Sequence, residues 1–172
     1  MSDETVLPAY LASLNEEQRK AVYHEGSPLL ILAGAGSGKT RVITSKIAYL
    51  VDRKGVDPSS ILAVTFTNKA AAEMHERVLG MVPDARGVMV RTFHSFGAWL
   101  LRRNSHLLDM QSSFSIYDDE DSLSLLHNIY TGYKRRELQP YARTISRVKD
   151  YCLTPEDDLS DFSHEPRFSE MY

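Results

Sequence analysis

Only one residue of the chain, Cys152, is a cysteine. A lone thiol excludes an internal disulfide framework and any multi-cysteine metal site. No apolar run approaches the ~20 residues that a membrane-spanning helix needs. The N-terminus, MSDETVLPAYLASLNEEQ, is acidic and lacks the apolar centre of a secretory signal. These absences predict a cytoplasmic protein with no membrane partner. Basic excess is missing too: the net charge of −3 argues against a protein that coats nucleic acid by charge alone. Internal repeats and low-complexity tracts are also absent. What remains is 172 residues of ordinary globular composition, enough for one well-buried domain with a small appendage.

Charge is distributed more informatively than its total. Residues 134 to 149 hold Lys134, Arg135, Arg136, Arg143, Arg147 and Lys149 against Glu137 alone, whereas residues 150 to 172 hold only Arg167 against seven acids. The basic block is either a phosphate-facing patch or an ordinary solvated helix surface.

The order of patterns predicts an α/β fold. Residues 15 to 24 read as a helix capped by Asn15, with Gln18 at the capping-box position. PLLILA (28 to 33), ILAVTF (61 to 66), GVMVRTF (87 to 93) and FSIY (114 to 117) read as buried strands. Helices are predicted from Lys39, with Ile43 and Ile47 inward, over TNKAAAEMHERVLG, with Ala70, Met74 and Val78 on one face, and through Trp99, Leu100 and Arg103, with Trp99 packed in the core. Strand-then-helix units in series imply a parallel sheet with crossover helices. Beyond residue 117 the pattern is helical, including a helix start at Thr154–Pro155 with Asp157. The predicted organisation is an α/β part over 1–117 and a helical part over 118–172.

The stretch AGAGSGKTRV (33 to 42) follows a predicted strand and opens a helix. In that context the N–H groups of residues 34 to 40, including Gly34, Ala35, Gly36, Ser37 and Gly38, point into one concavity and cradle phosphate oxygens. Gly34, Gly36 and Gly38 supply the required backbone conformations. Lys39 would reach the β- and γ-phosphates and Thr40 would ligate Mg²⁺. The bland alternative is a glycine-rich strand-to-helix turn with no ligand. Ala33 stands where the strict G-x-x-x-x-G-K-[ST] pattern has glycine, and a small residue can serve there if its φ is negative.

Four stretches in order, LNEEQRKAV (14 to 22), AGAGSGKTRV, VTFTNKAAAEMHERV (64 to 78) and RTFHSFGAWLLRR (91 to 103), closely resemble the Q motif and motifs I, Ia and Ib of the UvrD/PcrA/Rep-like superfamily 1 DNA helicases. Motif I of that family commonly begins with alanine, which accounts for Ala33. The resemblance implies a RecA-like, P-loop ATP-binding motor domain, incomplete here, with a helical accessory subdomain beginning at 118. It further implies that Gln18 reads adenine and that Arg41 lies near the nucleotide. Phe66, Thr67, Asn68 and Lys69, with Thr92, Phe93, His94 and Ser95, would contact single-stranded DNA. Lys134, Arg135 and Arg136 would face duplex phosphates at a single-strand/duplex junction. ATP and Mg²⁺ are the implied cofactors, and the remaining helicase domains are implied partners.

The acidic D-E-x-Q motif that organises metal and water for hydrolysis in the family is absent from this sequence. FSIYDDED imitates a strand ending in acids, but Asp118 to Asp121 suit the first turn of a helix. The chain therefore reads as the N-terminal part of a 3′–5′ helicase of DNA repair or replication, able at most to bind ATP and DNA and inactive by itself. Two competing readings are a complete small P-loop NTPase or kinase using Asp118 and Asp119 at its metal site, and a non-catalytic nucleic-acid-binding module that retains the loop.

Overall fold

The structure, a computed structural model, describes residues 7–165 and 167–172. The first six residues of the acidic N-terminus lie outside them. Two compact units divide the chain, residues 1–112 and 113–172. No helix among the described residues is long and apolar enough to cross a membrane.

The first unit has an α/β fold. Helix α1 (Ala9–Ala12) and helix α2 (Glu16–Tyr23) precede helix α3 (Lys39–Asp52). Strand β1 (Leu62–Thr65) then leads into α4 (Asn68–Met81), and strand β2 (Met89–Thr92) into α5 (Phe93–Arg103). The two strands pair in parallel, from Leu62 opposite Met89 to Thr65 opposite Thr92, so α4 is the crossover that a parallel pair requires. Its Met74 and Val78 are buried with Ala63 of β1, and Val90 of β2 packs on the same cluster. Val42, Ile47 and Ala48 of α3, Val22 of α2, Tyr10, Leu11 and Leu14 near the N-terminus, and Val82, Ala85 and Val88 between α4 and β2 complete that core. Ile43 faces outward instead, 43% exposed. The buried side of α3 takes Thr44 and Ser45, whose hydroxyls hydrogen-bond to the carbonyls of Thr40 and Tyr10.

Two predicted strands are not strands. Residues 28 to 33 pair with nothing among the described residues, and Leu30 and Leu32 are 81% and 86% exposed. An apolar segment enters a sheet only where a neighbour offers a row of free N–H and C=O groups. The two-stranded sheet leaves the outer edges of β1 and β2 unpaired, and residues 28 to 33 dock on neither. FSIY likewise forms no strand, and Ile116 and Tyr117 are exposed. Trp99 does not enter the core either: α5 buries no residue fully, and Trp99 is only half-buried.

Tyr10 ties α1 to α3. Its hydroxyl donates to the Asp52 carboxylate at 2.7 Å while the ring is buried. Burial first, and that acceptor second, push the phenol pKa well above its ordinary 10.0. A folded-state pKa above the unfolded one means that the stabilisation is complete below pH ~10 and declines as pH rises further. Tyr10→Phe should therefore cost about 1 kcal/mol at neutral pH and remove part of the alkaline loss of stability, as measured by denaturant melts between neutral pH and pH ~11.

In the second unit, α6 (Asp119–Ile129) and α7 (Arg135–Asp150) pack through Leu123, Leu126 and Leu138, joined by Met171 of α8 (Phe168–Met171). Val148, Leu159 and Phe168 form an adjoining cluster. Thr154–Pro155 begins a turn rather than a helix: Asp157 accepts from the Thr154 N–H and hydroxyl, and no helical turns follow.

Candidate nucleotide and nucleic-acid site

The glycine-rich loop is built on the uncapped N-terminus of α3. Gly38 is its N-cap, has φ +85° and offers no side-chain acceptor. The first N–H groups of the helix thus remain open to an anion, where the helix dipole favours one. Glycine is favoured at Gly38 by its positive φ. A Cβ there would lie 2.8 Å from Gln18 Nε2, the end of a flexible side chain that would have to shift. Gly36 also has positive φ, at +75°. Gly34 does not, and nothing lies within 4 Å of a Cβ built on it, so in this conformation it needs neither freedom nor space. Ala33 is not among the positive-φ residues, which meets the condition for alanine at that position.

The loop is closed upon itself. Lys39 Nζ donates to the carbonyls of Ala33 and Gly34 at 2.8 and 2.6 Å. Ser37 Oγ donates to the Gly34 carbonyl at 2.7 Å. These oxygens hold the ammonium in the concavity lined by Ala33 to Gly38. Thr40 and Arg41 are exposed on the first turn of α3, and the Thr40 hydroxyl has no hydrogen-bond partner among the described residues.

Gln18 holds two positions at once. Its Oε1 accepts from the Asn15 N–H at 3.1 Å while its own N–H donates to Asn15 Oδ1, which is the capping box that starts α2. Its Nε2 donates across to the Ser37 carbonyl at 3.0 Å. The start of α2 is therefore bolted to the loop. Lys46, which sequence reading missed, fastens the other end of α2 to α3. Its Nζ donates to the carbonyls of Val22 and His24, the last orphans of α2, at 2.7 and 2.5 Å. Burial holds its pKa below the ordinary lysine value. A lysine in mid-helix carries no sequence signal that it will turn back on a preceding helix.

The parallel register of β1 and β2 brings the other predicted stretches together. Phe66 and Phe93, which follow the two strands, have ring centroids 5.6 Å apart and are 86% and 53% exposed. Asn68, Lys69 and His94 are exposed beside them in sequence, at the two helix starts. Three predicted contact residues have other work. Thr67 caps α4 by accepting from the Ala70 N–H. Thr92 is buried and forms a capping box with Ser95 at the start of α5. Their side chains hold helices in place, which leaves aromatic faces, Lys69 and backbone N–H groups at the surface.

In the second unit the basic triplet is not a uniform patch. Arg135 reaches the Glu120 carboxylate at 2.5 Å and Ser124 Oγ at 2.8 Å, pinning α7 to α6. Lys134 sits at the N-cap of α7, where the Glu137 carboxylate accepts from its backbone N–H. Arg136, Arg143 and Arg147 fall on one exposed face at helical spacing, opposite Leu138, Ile145 and Val148. Asp118 caps α6 by accepting from the Asp121 N–H at 2.8 Å, and Asp119 lies in its first turn. No cluster of His, Cys, Asp or Glu among the described residues is arranged to hold a metal.

The sequence is similar to known proteins over most of its length. The profile of the UvrD/REP helicase N-terminal domain matches residues 14–172. The ATP-dependent DNA helicase UvrD1 of Mycobacterium tuberculosis H37Rv is 48% identical over 161 residues, covering 90% of this chain and 21% of its own length. The ATP-dependent DNA helicase PcrA of Staphylococcus epidermidis RP62A is 41% identical over 172 residues, covering 95% of this chain and 24% of its own. That of Staphylococcus aureus NCTC 8325 is 44% identical over 154 residues. The chain spans about a fifth to a quarter of the length of these curated relatives. With the profile covering nearly the whole sequence, the chain belongs to the UvrD/REP helicase N-terminal domain family.

Proposed function

We propose that this chain is the nucleotide-gripping part of an ATP-dependent DNA helicase that moves 3′ to 5′ on single strands, in DNA repair or replication. The observation that carries the proposal is the loop at the uncapped start of α3, with Lys39 poised in it and Gln18 tied to it. The loop is the phosphate site. Its N–H groups and Lys39 hold the phosphates once the lysine exchanges the Ala33 and Gly34 carbonyls for phosphate oxygens, and Arg41 lies alongside. Thr40 offers a free hydroxyl to Mg²⁺, which when bound offsets the charge of the phosphates.

Gln18 is fitted to adenine. A primary amide has two acceptor lone pairs and two N–H donors. The cap takes one lone pair and Ser37 takes one N–H. One of each remains, the pair that adenine's N6 and N7 edge needs. Gln18→Glu keeps the acceptor for Asn15 and removes the donor to Ser37. It should cost about 1 kcal/mol of stability through the lost Ser37 bond and weaken ATP about tenfold, with ATP no longer preferred over GTP; a thermal melt reads the first and a fluorescent-nucleotide titration the other two.

Phe66, Phe93, Lys69 and His94 form the single-strand contact. Aromatic faces take bases, and the starts of α4 and α5 offer N–H groups to phosphates. The stripe of Arg136, Arg143 and Arg147 is the part of the helical unit that faces a duplex at a junction, and the first unit is the beginning of a RecA-like motor domain. Residues 28 to 33 become a strand when the longer protein supplies partner strands.

The chain alone binds ATP without turning it over, because no acidic strand end accompanies the loop. Measuring ATP binding and hydrolysis with and without single-stranded DNA tests this. Binding with negligible turnover is expected. A DNA-stimulated rate comparable with a complete motor and lost in Lys39→Ala would overturn it. The kinase reading would need Asp118 and Asp119 at a metal, and their engagement in the start of α6 favours the helicase reading.

A further inference from the structure

Between Asp84 and Asp109 the chain carries no acidic residue, yet it carries Arg86, Arg91, Arg102 and Arg103. Two of these meet at one ring. The Arg91 guanidinium, from β2, lies 5.9 Å from the centroid of Trp99, and that of Arg103, one turn further along α5, lies 5.8 Å from it. Phe96 stacks against the same indole at 5.8 Å with an interplanar angle of 26°. Neither Arg91 nor Arg103 has a carboxylate partner among the described residues.

Two guanidiniums at one ring, with no counter-ion, repel each other, and the indole face offsets only part of that. A guanidinium packed on an aromatic face is held in orientation, and its N–H edge remains free for a bidentate anion. The cluster is thus a pre-oriented pair of anion forks. It shares α5 with the edge already described, turned about the helix axis from Phe93. α5 starts at Phe93, and at ~1.5 Å per residue Trp99 lies about 9 Å and Arg103 about 15 Å down the helix from it.

We propose that Arg91 and Arg103, held on Trp99, bind backbone phosphates of single-stranded DNA and extend the Phe66–Phe93 contact along α5. The proposal rests on the reading of that edge as a single-strand site. It assigns Trp99 a positioning role and the two arginines direct contact with the strand.

Trp99 is the only tryptophan, so its emission reports on the site in the unmodified chain. Titration with a short oligothymidine should change that emission, and the change should weaken as salt is raised. Arg91→Gln/Arg103→Gln should lower affinity and flatten the slope of log K against log salt by about 1.4, or ~0.7 for each phosphate released. Followed by the anisotropy of a dye-labelled oligothymidine, which does not need the tryptophan, Trp99→Leu keeps both charges and should weaken binding about fivefold with the slope intact, and Trp99→Phe should restore most of the loss. Thermal melts check that each variant folds.

Unchanged affinity and slope in the arginine pair, with Phe66→Ala still weakening binding, would overturn the cluster and leave the edge reading standing. No binding of oligothymidine by the unmodified chain would overturn both. Arginine-dependent binding of polyglutamate, with DNA binding indifferent to the arginines, would assign the surface to an acidic protein and overturn the proposal.

Discussion

Replacing Lys39 with alanine should weaken ATP binding by roughly thirty- to 150-fold, corresponding to the ~2–3 kcal/mol that charge-assisted hydrogen bonds to phosphate contribute. The effect is below the full Coulombic gain for a structural reason. In the unliganded loop the ammonium already donates to the Ala33 and Gly34 carbonyls, and it must give these up to reach phosphate. Folding should be almost untouched, because Lys39 is exposed and its bonds close only a surface loop. A titration with a fluorescent ATP analogue, paired with a thermal melt, checks both halves. Affinity within threefold of the unmodified chain would remove Lys39 from the phosphate site. A melt shifted as strongly as the affinity would make it a folding residue instead.

The second large effect lies in the helical unit. Leu138 is fully buried between α6 and α7 with Leu123, Leu126 and Met171. Leu138→Ala should cost about 2–5 kcal/mol through lost transfer energy and the cavity left behind. A small two-helix core cannot absorb that loss. Because the chain divides into two compact units, the damage should stay local. Helical circular dichroism should fall at a lower temperature, whereas the emission of Trp99, in the first unit, should report an unchanged transition. Equal shifts of both signals would show that the two units unfold as one.

How much of this was legible beforehand depends on whether a feature is local. The starts of α2 and α6 are legible because the deciding groups lie within three residues of one another, Asn15 with Gln18 and Asp118 with Asp121. Thr67 with Ala70 and Thr92 with Ser95 have the same spacing, yet the sequence reading assigns those side chains to DNA and only the structure shows them as caps. The same short range makes Asp118 to Asp121 legible as a helix start and not an acidic strand end. Motif spacing likewise locates the glycine-rich loop, because successive N–H groups ahead of a helix start are a property of a few consecutive residues. The strands were a different matter. ILAVTF and PLLILA look alike in sequence, yet only the first is paired, since a strand is defined by a neighbour far away in the chain.

Side-chain partners over long sequence distances were invisible for the same reason. Nothing in the sequence marks Arg135 as the partner of Glu120 rather than of DNA, or sets Arg91 and Arg103 at one indole. Nor does it show Lys46 reaching back to cap α2. By itself the sequence determined the place of the glycine-rich loop, several helix starts and the family, all of which depend on short-range spacing. Only the tertiary structure decided which apolar runs became strands, which cations were already spent on carboxylates and carbonyls, and that one amide, Gln18, both caps a helix and holds the loop. Those outcomes depend on groups brought together by packing, where the cost of burying an unpartnered donor or charge selects the pairing.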